Sequence, residues 1–292
     1  MESAGKLIIV PTPIGNLGDI TLRAVEALRA SDAVLCEDTR VTGKLLAHLG
    51  IEKPLVRLDE NTIRERARAV LERIQAGEQL AYCSDAGMPG VSDPGMALVR
   101  AARAEGLATE VLPGASAATT AYVASGFSTT RFLFAGFLSK KASERQEALA
   151  AMRAVDAALI FYESPHRLAS ALETIADAFP HREVAVCREL TKLHEEVVSG
   201  PSGEVARMFQ ERAAHTPIKG EIAIVVDGPS DAEADEAKDA SLVEAHERAA
   251  ELAAQGARPK EIAKQLVASC GIPRNAAYDI ALAARDEGTR HA

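Results

Sequence analysis

The sequence predicts an α/β protein of two α/β domains, a parallel N-terminal sheet and a mixed second sheet with a cleft between them, plus a small C-terminal helical module. Three observations predict it. Through the first half, short apolar runs alternate with single helical patterns, as in a parallel sheet covered on both faces. In the second half, the apolar runs 183–190 and 195–200 follow one another with no helix between them, which asks for a mixed sheet. After residue 240 the periodicity is helical throughout.

Taken in order, KLIIV is a strand, TLRAVEALRA a helix, DAVLCE a strand and TGKLLAHLG a helix capped by Gly50. PLVRL, the long amphipathic IRERARAVLERIQAG, QLAYC, a helix from Pro94 and ATEVLPG complete the first domain, 1–125. A break at 126–130 opens the second domain, 126–229. It holds RFLFAGF, a helix at 143–152, AALIFYE, a helix at 168–179, EVAVCREL, EEVVSG, a helix at 202–212 and EIAIVVDG. The stretch 230–240 is acidic and lacks aromatic and branched residues, so it reads as a solvated linker. The module 241–292 follows, and its last two helices, PKEIAKQLVASC and PRNAAYDIALAARDEG, each open on a proline and are separated by Gly271. They resemble a helix-turn-helix.

The 292 residues suffice for two domains and a small third, and 47% apolar with 26% charged residues is a globular composition. The N-terminal residues lack the basic and apolar regions of a signal peptide, and no apolar run approaches the ~20 residues of a membrane helix. Cys36, Cys83, Cys187 and Cys270 form no CxxC, so small buried thiols in a reducing, cytoplasmic setting are expected, with neither metal nor disulfide. The net charge of −9 argues at first against nucleic acid. The charge is uneven, however. Residues 227–240 carry a net −5, whereas residues after Gly256 carry a net +2, so the local surface decides.

Three loops rich in chain breakers lie at strand ends: PTPIGNLGD, SDAGMPGVSDPG and PGASAATT. All open on one edge of the sheet, where ligands bind in folds of this kind. Phosphate is disfavoured there, because the chain has no GxxxxGK[ST], the first loop lacks GxGxxG spacing and no lysine lies in the three loops. A nucleoside with an amino-acid tail fits better. It wants carboxylates, main-chain polar groups and small residues that admit close approach, the types of Asp85, Gly87, Ser116 and Ala117. Asp93 ahead of Pro94 reads as the N-cap of the next helix.

The motifs PTPIGNLGDITLRA, CEDTR, SDAGMPGVSDPG, PGASA, FYESPHR, CRELTKLHEE and KGEIAIVV, in this order across almost the whole chain, closely resemble the small-subunit ribosomal RNA methyltransferase I group of the tetrapyrrole methylase superfamily. The resemblance implies S-adenosylmethionine in the interdomain cleft and methylation of the ribose 2′-hydroxyl of a cytidine in the decoding region of 16S rRNA. It also implies the small ribosomal subunit as partner, a homodimer and a C-terminal helical module. Cofactor contacts carried across fall at Pro13, Asp85, Ala86, Gly87, Met88, Pro89, Ser116 and Ala117, with Phe161, Leu190 and Gly220 from the second domain. Met88 and Gly90 depart from the threonine and bulkier aliphatic residue more frequent in relatives, which removes a hydroxyl at position 88.

Methyl transfer from a sulfonium is an in-line displacement, requires no metal, and gains from a base or from a cation beside the developing alkoxide. The candidates are Glu163, His166 and Arg167 in ESPHR, and Arg188, Glu189 and Lys192 in RELTK. Each has a plainer reading, such as Glu163 capping a helix or pairing with Arg167. With no tryptophan and 4% aromatics, an aromatic platform for RNA is not expected. Arg40, Lys44, Lys140, Lys141 and Arg145 are the candidate RNA contacts, whereas the Arg64, Arg66 and Arg68 run reads as a solvated face balanced by Glu65 and Glu72. The C-terminal helical pair either binds RNA or covers a dimer. Two rival functions stay open: a tetrapyrrole C-methyltransferase, against which PTPIGN and the tail tell, and a non-catalytic RNA-binding protein that keeps a cofactor pocket.

Overall fold

The computed structural model describes residues 5–290, which divide into two compact units between Gly228 and Pro229. In the first unit β1 (Lys6–Ile9), β2 (Ala33–Cys36), β3 (Leu55–Arg57), β4 (Gln79–Cys83) and β5 (Ala108–Val111) form a parallel sheet of order β3-β2-β4-β1-β5. Between them run α1 (Leu22–Ala30), α2 (Thr39–His48), α3 (Ile63–Gln75) and α4 (Gly95–Ala104). β2 is buried at every position and β4 at four of five, which is why their sequences are continuous apolar runs. Leu7, Ile9, Leu35, Leu80 and Tyr82 pack on one side of the sheet, Ile8, Val10, Val34, Ala81 and Cys83 on the other.

The second sheet has the order β6-β7-β10-β8-β9, from β6 (Phe132–Phe137), β7 (Ala158–Glu163), β8 (Glu183–Arg188), β9 (Glu196–Pro201) and β10 (Ile222–Val226). β6 and β7 are parallel and the remaining pairs antiparallel. The sheet is therefore mixed, as the helix-free step from β8 to β9 requires. α6 (Ala142–Ala151), α7 (Leu168–Ala178) and α8 (Ser202–His215) cover one face. The other face is covered by α5 (Ala117–Ser125), whose Ala118 and Ala121 pack with Ile160, Ala185, Cys187 and Val225. α5 follows the first sheet in sequence and packs on the second, so it ties the lobes together.

The second unit contains α9 (Asp231–Ala254), α10 (Pro259–Cys270) and α11 (Arg274–Arg290), with Ala245, Ala249, Ile262, Leu266, Ile272, Ala277 and Ala281 as core. The acidic stretch 230–240, expected as a linker, is helical. Ser230 accepts the Glu233 N–H as N-cap, and alanine, glutamate and lysine favour helix. Gly271 ends α10 at φ +67°. No helix of the described residues is long and apolar enough to cross a membrane.

Candidate active site

The loops after β1, β4 and β5 converge, and the turn between β8 and β9 closes over them from the second lobe. They enclose a cavity of about 500 Å³, lined from the first lobe by Ile14, Glu37, Asp85, Gly87, Met88, Ser92 and Ser116 among others. The second lobe contributes Tyr162, Glu163, Leu190, Gly220 and Glu221 among others. This volume is of the size that takes a small organic ligand.

Local chemistry explains the shape of the β4 loop. Thr12 and Gly87 exchange backbone hydrogen bonds, each 3.0 Å long, which stitch the first loop to the second. Gly87 sits at φ +79°, and a Cβ there would lie 3.1 Å from Ile14 Cγ2, so only glycine leaves this strand of backbone in place. Asp93 is the loop's internal staple. Its carboxylate accepts the N–H of Gly90 at 2.8 Å and of Gly95 at 2.7 Å. Helix α4 begins at Gly95 with Pro94 in the capping position, so the expected cap is shifted by one residue, though Asp93 still takes the first helical amide.

The expected cofactor residues separate into two groups. Asp85, Ala86, Gly87, Met88, Ser116, Ala117, Leu190 and Gly220 line the cavity. Pro13, Pro89 and Phe161 are not among its lining residues. Pro13 and Pro89 are buried beside the loop residues that do reach the cavity, Ile14 and Met88. Phe161 is fully buried in the core beneath α7, and its neighbour Tyr162 lies on the opposite face of β7 and lines the cavity instead, as strand alternation dictates.

Among the expected catalytic residues, Glu163 lines the cavity and is 3% exposed. Its Oε1 accepts the Ser164 N–H at 2.6 Å and Arg167 Nε at 2.7 Å, while Oε2 has no partner. Arg167 is thereby held as the partner of Glu163. His166 is exposed and outside the cavity, and Arg188 is held by Glu196 at 2.9 Å. Lys192 bridges Glu189 at 2.8 Å and the cavity residue Glu221 at 2.9 Å. Burial works against its charge, but the hydrogen bonds to Glu189 and Glu221 outweigh it and hold the ammonium above its usual value. Lys192 and the Glu221 N–H hold the Glu189 carboxyl below the usual range.

Sequence reading assigned no role to Glu37, at the carboxyl end of β2. It lines the cavity, and burial, then the charges of Asp93 and Asp85, push its carboxyl up to about 7. Asp85 is likewise raised, by burial first, although it accepts the Asp38 N–H at 3.1 Å. The signal was available, since Glu37 follows a parallel strand on the binding edge. Cys187 also lines the cavity, but burial pushes its thiol up to about 12, which makes it wall rather than nucleophile. Ser92, Glu189 and Thr191 are the non-glycine residues with left-handed φ among those described, and all three lie in loops that shape this site.

The expected RNA contacts are less uniform. Arg40, Lys44, Lys140 and Lys141 are exposed, with Arg40 paired to Asp38 and Lys141 to Glu144. Arg145 is a correction. It is 7% exposed, with Nε donating to Thr174 Oγ1 at 3.0 Å, and it ties α6 to α7. Arg68 pairs with Glu72 on α3, in keeping with a solvated face; the Arg64 side chain lies outside the described residues. Among the described residues, no group of three or more His, Cys, Asp or Glu is placed to hold a metal.

S-adenosylmethionine, which the resemblance implies, fits this donor set. The orphaned Glu163 Oε2, the carboxylates of Asp85 and Glu37, the first-turn amides of α5 behind Ser116 and the bare backbone at Gly87 suit hydroxyls, an ammonium, a carboxylate and a close-packed nucleoside.

Comparison with known proteins agrees with this arrangement. The family model of Tetrapyrrole (Corrin/Porphyrin) Methylases matches residues 6–206. The Ribosomal RNA small subunit methyltransferase I of Halalkalibacterium halodurans is 39% identical over 96% of this chain and 95% of its own. That of Escherichia coli O157:H7 is 42% identical over 96% of each chain. The Thermotoga maritima protein of the same name is 42% identical, with 99% of its length matched to 77% of this chain. Among solved structures, a diphthine synthase aligns at TM-score 0.60 with 18% identity, covering 76% of this chain and 90% of its own. A uroporphyrin-III C-methyl transferase from Thermus thermophilus, complexed with S-adenyl homocysteine, aligns at 0.54 with 19% identity, covering 76% and 97%. By the family match and by these near-full-length relatives, the chain belongs to the tetrapyrrole methylase family, in its ribosomal RNA small subunit methyltransferase I group.

Proposed function

We propose that this protein is an S-adenosylmethionine-dependent methyltransferase of small-subunit ribosomal RNA, and that it methylates the ribose 2′-hydroxyl of a cytidine in the decoding region of 16S rRNA. The observation that carries the reading is the near-full-length likeness, 39–42% identical, to relatives named for that RNA, together with a two-lobed cavity whose donor set suits the cofactor.

When bound, the cofactor supplies an electrophilic methyl group. The chain's own residues then have to orient the acceptor and stabilise charge. Lys192 keeps its proton tightly and sits at the cavity's rim through Glu221, so its proposed role is that of a cation near the developing alkoxide rather than of a base. Glu189 holds it there. Lys192→Met is expected to lower the single-turnover rate by roughly a hundredfold, with cofactor affinity little changed, and Lys192→Arg to restore part of it. An unchanged rate in Lys192→Met sinks this role.

The same reading takes the chain as a cytoplasmic homodimer acting on small ribosomal subunits. Support for a second copy comes from Val123, Phe132 and Leu133, which expose apolar surface on α5 and the edge strand β6. Light scattering at twice the chain mass is the expected result. The deciding experiment is transfer of labelled methyl to small subunits that lack this modification, followed by nuclease digestion. Label in 2′-O-methylcytidine supports the reading. Absence of label in RNA, with a tetrapyrrole accepting methyl instead, overturns it.

A further inference from the structure

The second unit carries a groove of its own, of about 370 Å³, between α10 and α11. It is lined by Lys260, Ala263, Lys264 and Val267 from α10 and by Arg274 and Tyr278 from α11. We infer that this groove binds the sugar-phosphate backbone of single-stranded RNA, with Tyr278 offering its ring to a base; the inference deepens the RNA-methylating reading and rests on it.

Four observations support the groove as an RNA site. Lys260, Lys264 and Val267 recur at helical spacing on one face of α10, while Arg274 and Tyr278 stand one turn apart on α11, so the cations face a common groove. Among the described residues, no acidic side chain lines it. The nearby acids point their charge elsewhere: Glu261 accepts the Arg258 N–H as a capping group at 3.1 Å, and Asp279 lies about 100° round the helix from Tyr278. Among the described residues, Lys260, Lys264 and Arg274 make no ion pair, whereas the cation Arg248 on α9 is paired with Glu251 at 3.1 Å. Three exposed, unspent cations therefore stand together in a chain of net charge −9, beside an exposed tyrosine.

Such a site attracts a polyanion locally, although the chain as a whole carries net negative charge. Phosphates meet the three cations and release their condensed counterions, and a splayed base finds one aromatic face. The groove is too open and too simply lined to read base edges, so its contribution is affinity and placement rather than sequence choice. Specificity stays with the cavity of the first unit.

The test uses the full chain and a short fluorescein-labelled single-stranded RNA of decoding-region sequence, with anisotropy read across a series of salt concentrations. Lys260→Gln/Lys264→Gln/Arg274→Gln is expected to weaken binding at least tenfold and to flatten the slope of log affinity against log salt by about 2, three contacts at ~0.7 each. Tyr278→Ala is expected to weaken binding about tenfold at unchanged slope, with Tyr278→Phe close to the wild type. Lys260→Arg/Lys264→Arg/Arg274→Lys keeps the charges and is expected to bind as the wild type does, which guards against a folding defect. Arg248→Gln is expected to change nothing. Wild-type affinity and slope in the triple glutamine variant overturn the inference. So does weakened binding of that variant to intact small subunits alone, with free RNA bound normally, since the groove would then hold a ribosomal protein. Methyl transfer is scored separately. A wild type that binds RNA through these residues and methylates none refutes the functional reading and leaves the groove; equal binding and transfer by the triple variant does the reverse.

Discussion

Glu37 shows how one carboxylate can carry the electrostatic tension of a site. Its carboxyl is pushed up to about 7 by burial, then by Asp93 and Asp85, which crowd the same end of the cavity. A folded-state value above the unfolded one means that the native protein binds the extra proton. The associated stability is present below the ordinary carboxylate range and is lost as pH rises through about 7. Glu37→Gln is expected to flatten the fall in stability between mildly acidic and neutral pH, measured by urea denaturation at several pH values; an unchanged profile would show that other groups dominate. Glu163 is a buried carboxylate held by Arg167 and by the Ser164 N–H. Arg167→Ala strands it and is expected to cost about 3 kcal/mol of unfolding free energy. Neither environment was legible in sequence. ESPHR announces the Glu163–Arg167 pairing as one of two possibilities, but it does not show that Glu163 is buried or that the Leu138 carbonyl oxygen accepts a hydrogen bond from Arg167 Nη2.

At the scale of single elements, β7 separates stability from binding between two adjacent residues. Phe161 belongs to the core under α7, while Tyr162 stacks edge-on with Phe134 at 4.8 Å and lines the cavity. Phe161→Ala is expected to cost about 3–5 kcal/mol in denaturation experiments while the surviving folded protein binds cofactor normally. Tyr162→Ala is expected to weaken cofactor binding with a smaller loss of stability, by calorimetry on the same samples. In the β4 loop, Gly87→Ala forces a Cβ against Ile14 at a left-handed φ. It is expected to weaken cofactor affinity by about tenfold, from a conformational penalty of about 1–2 kcal/mol. The order of strands and helices was legible, because alternation of apolar runs and amphipathic helices fixes a parallel sheet and the helix-free step at 188–196 fixes the change of direction. The phase of each strand was not. QLAYC and AALIFYE are apolar on both faces, so sequence could not tell whether Phe161 or Tyr162 faced the ligand. Arg145 misled for a related reason: a lone arginine in the polar-looking ASERQEALAA gives no sign that its guanidinium reaches Thr174 across the interface with α7.

At the scale of the whole molecule, the chain divides into a two-lobed unit and a helical unit. The Thermotoga maritima relative, matched along 99% of its length by 77% of this chain, is about the size of the first unit. A chain ending at Gly228 is therefore expected to unfold cooperatively and to bind cofactor with wild-type affinity, while its affinity for small ribosomal subunits falls; loss of cofactor binding by calorimetry would show that the second unit supports the cavity. The two lobes of the first unit meet at Gly15, where a Cβ would lie 2.5 Å from Lys192 Cγ. Any side chain at position 15 would dislodge the lysine, and any shortening at 192 would open space above the first loop. Gly15 is thus the floor on which the lysine stem rests: a side chain added at 15 is felt at 192, whereas a shorter residue at 192 leaves position 15 undisturbed.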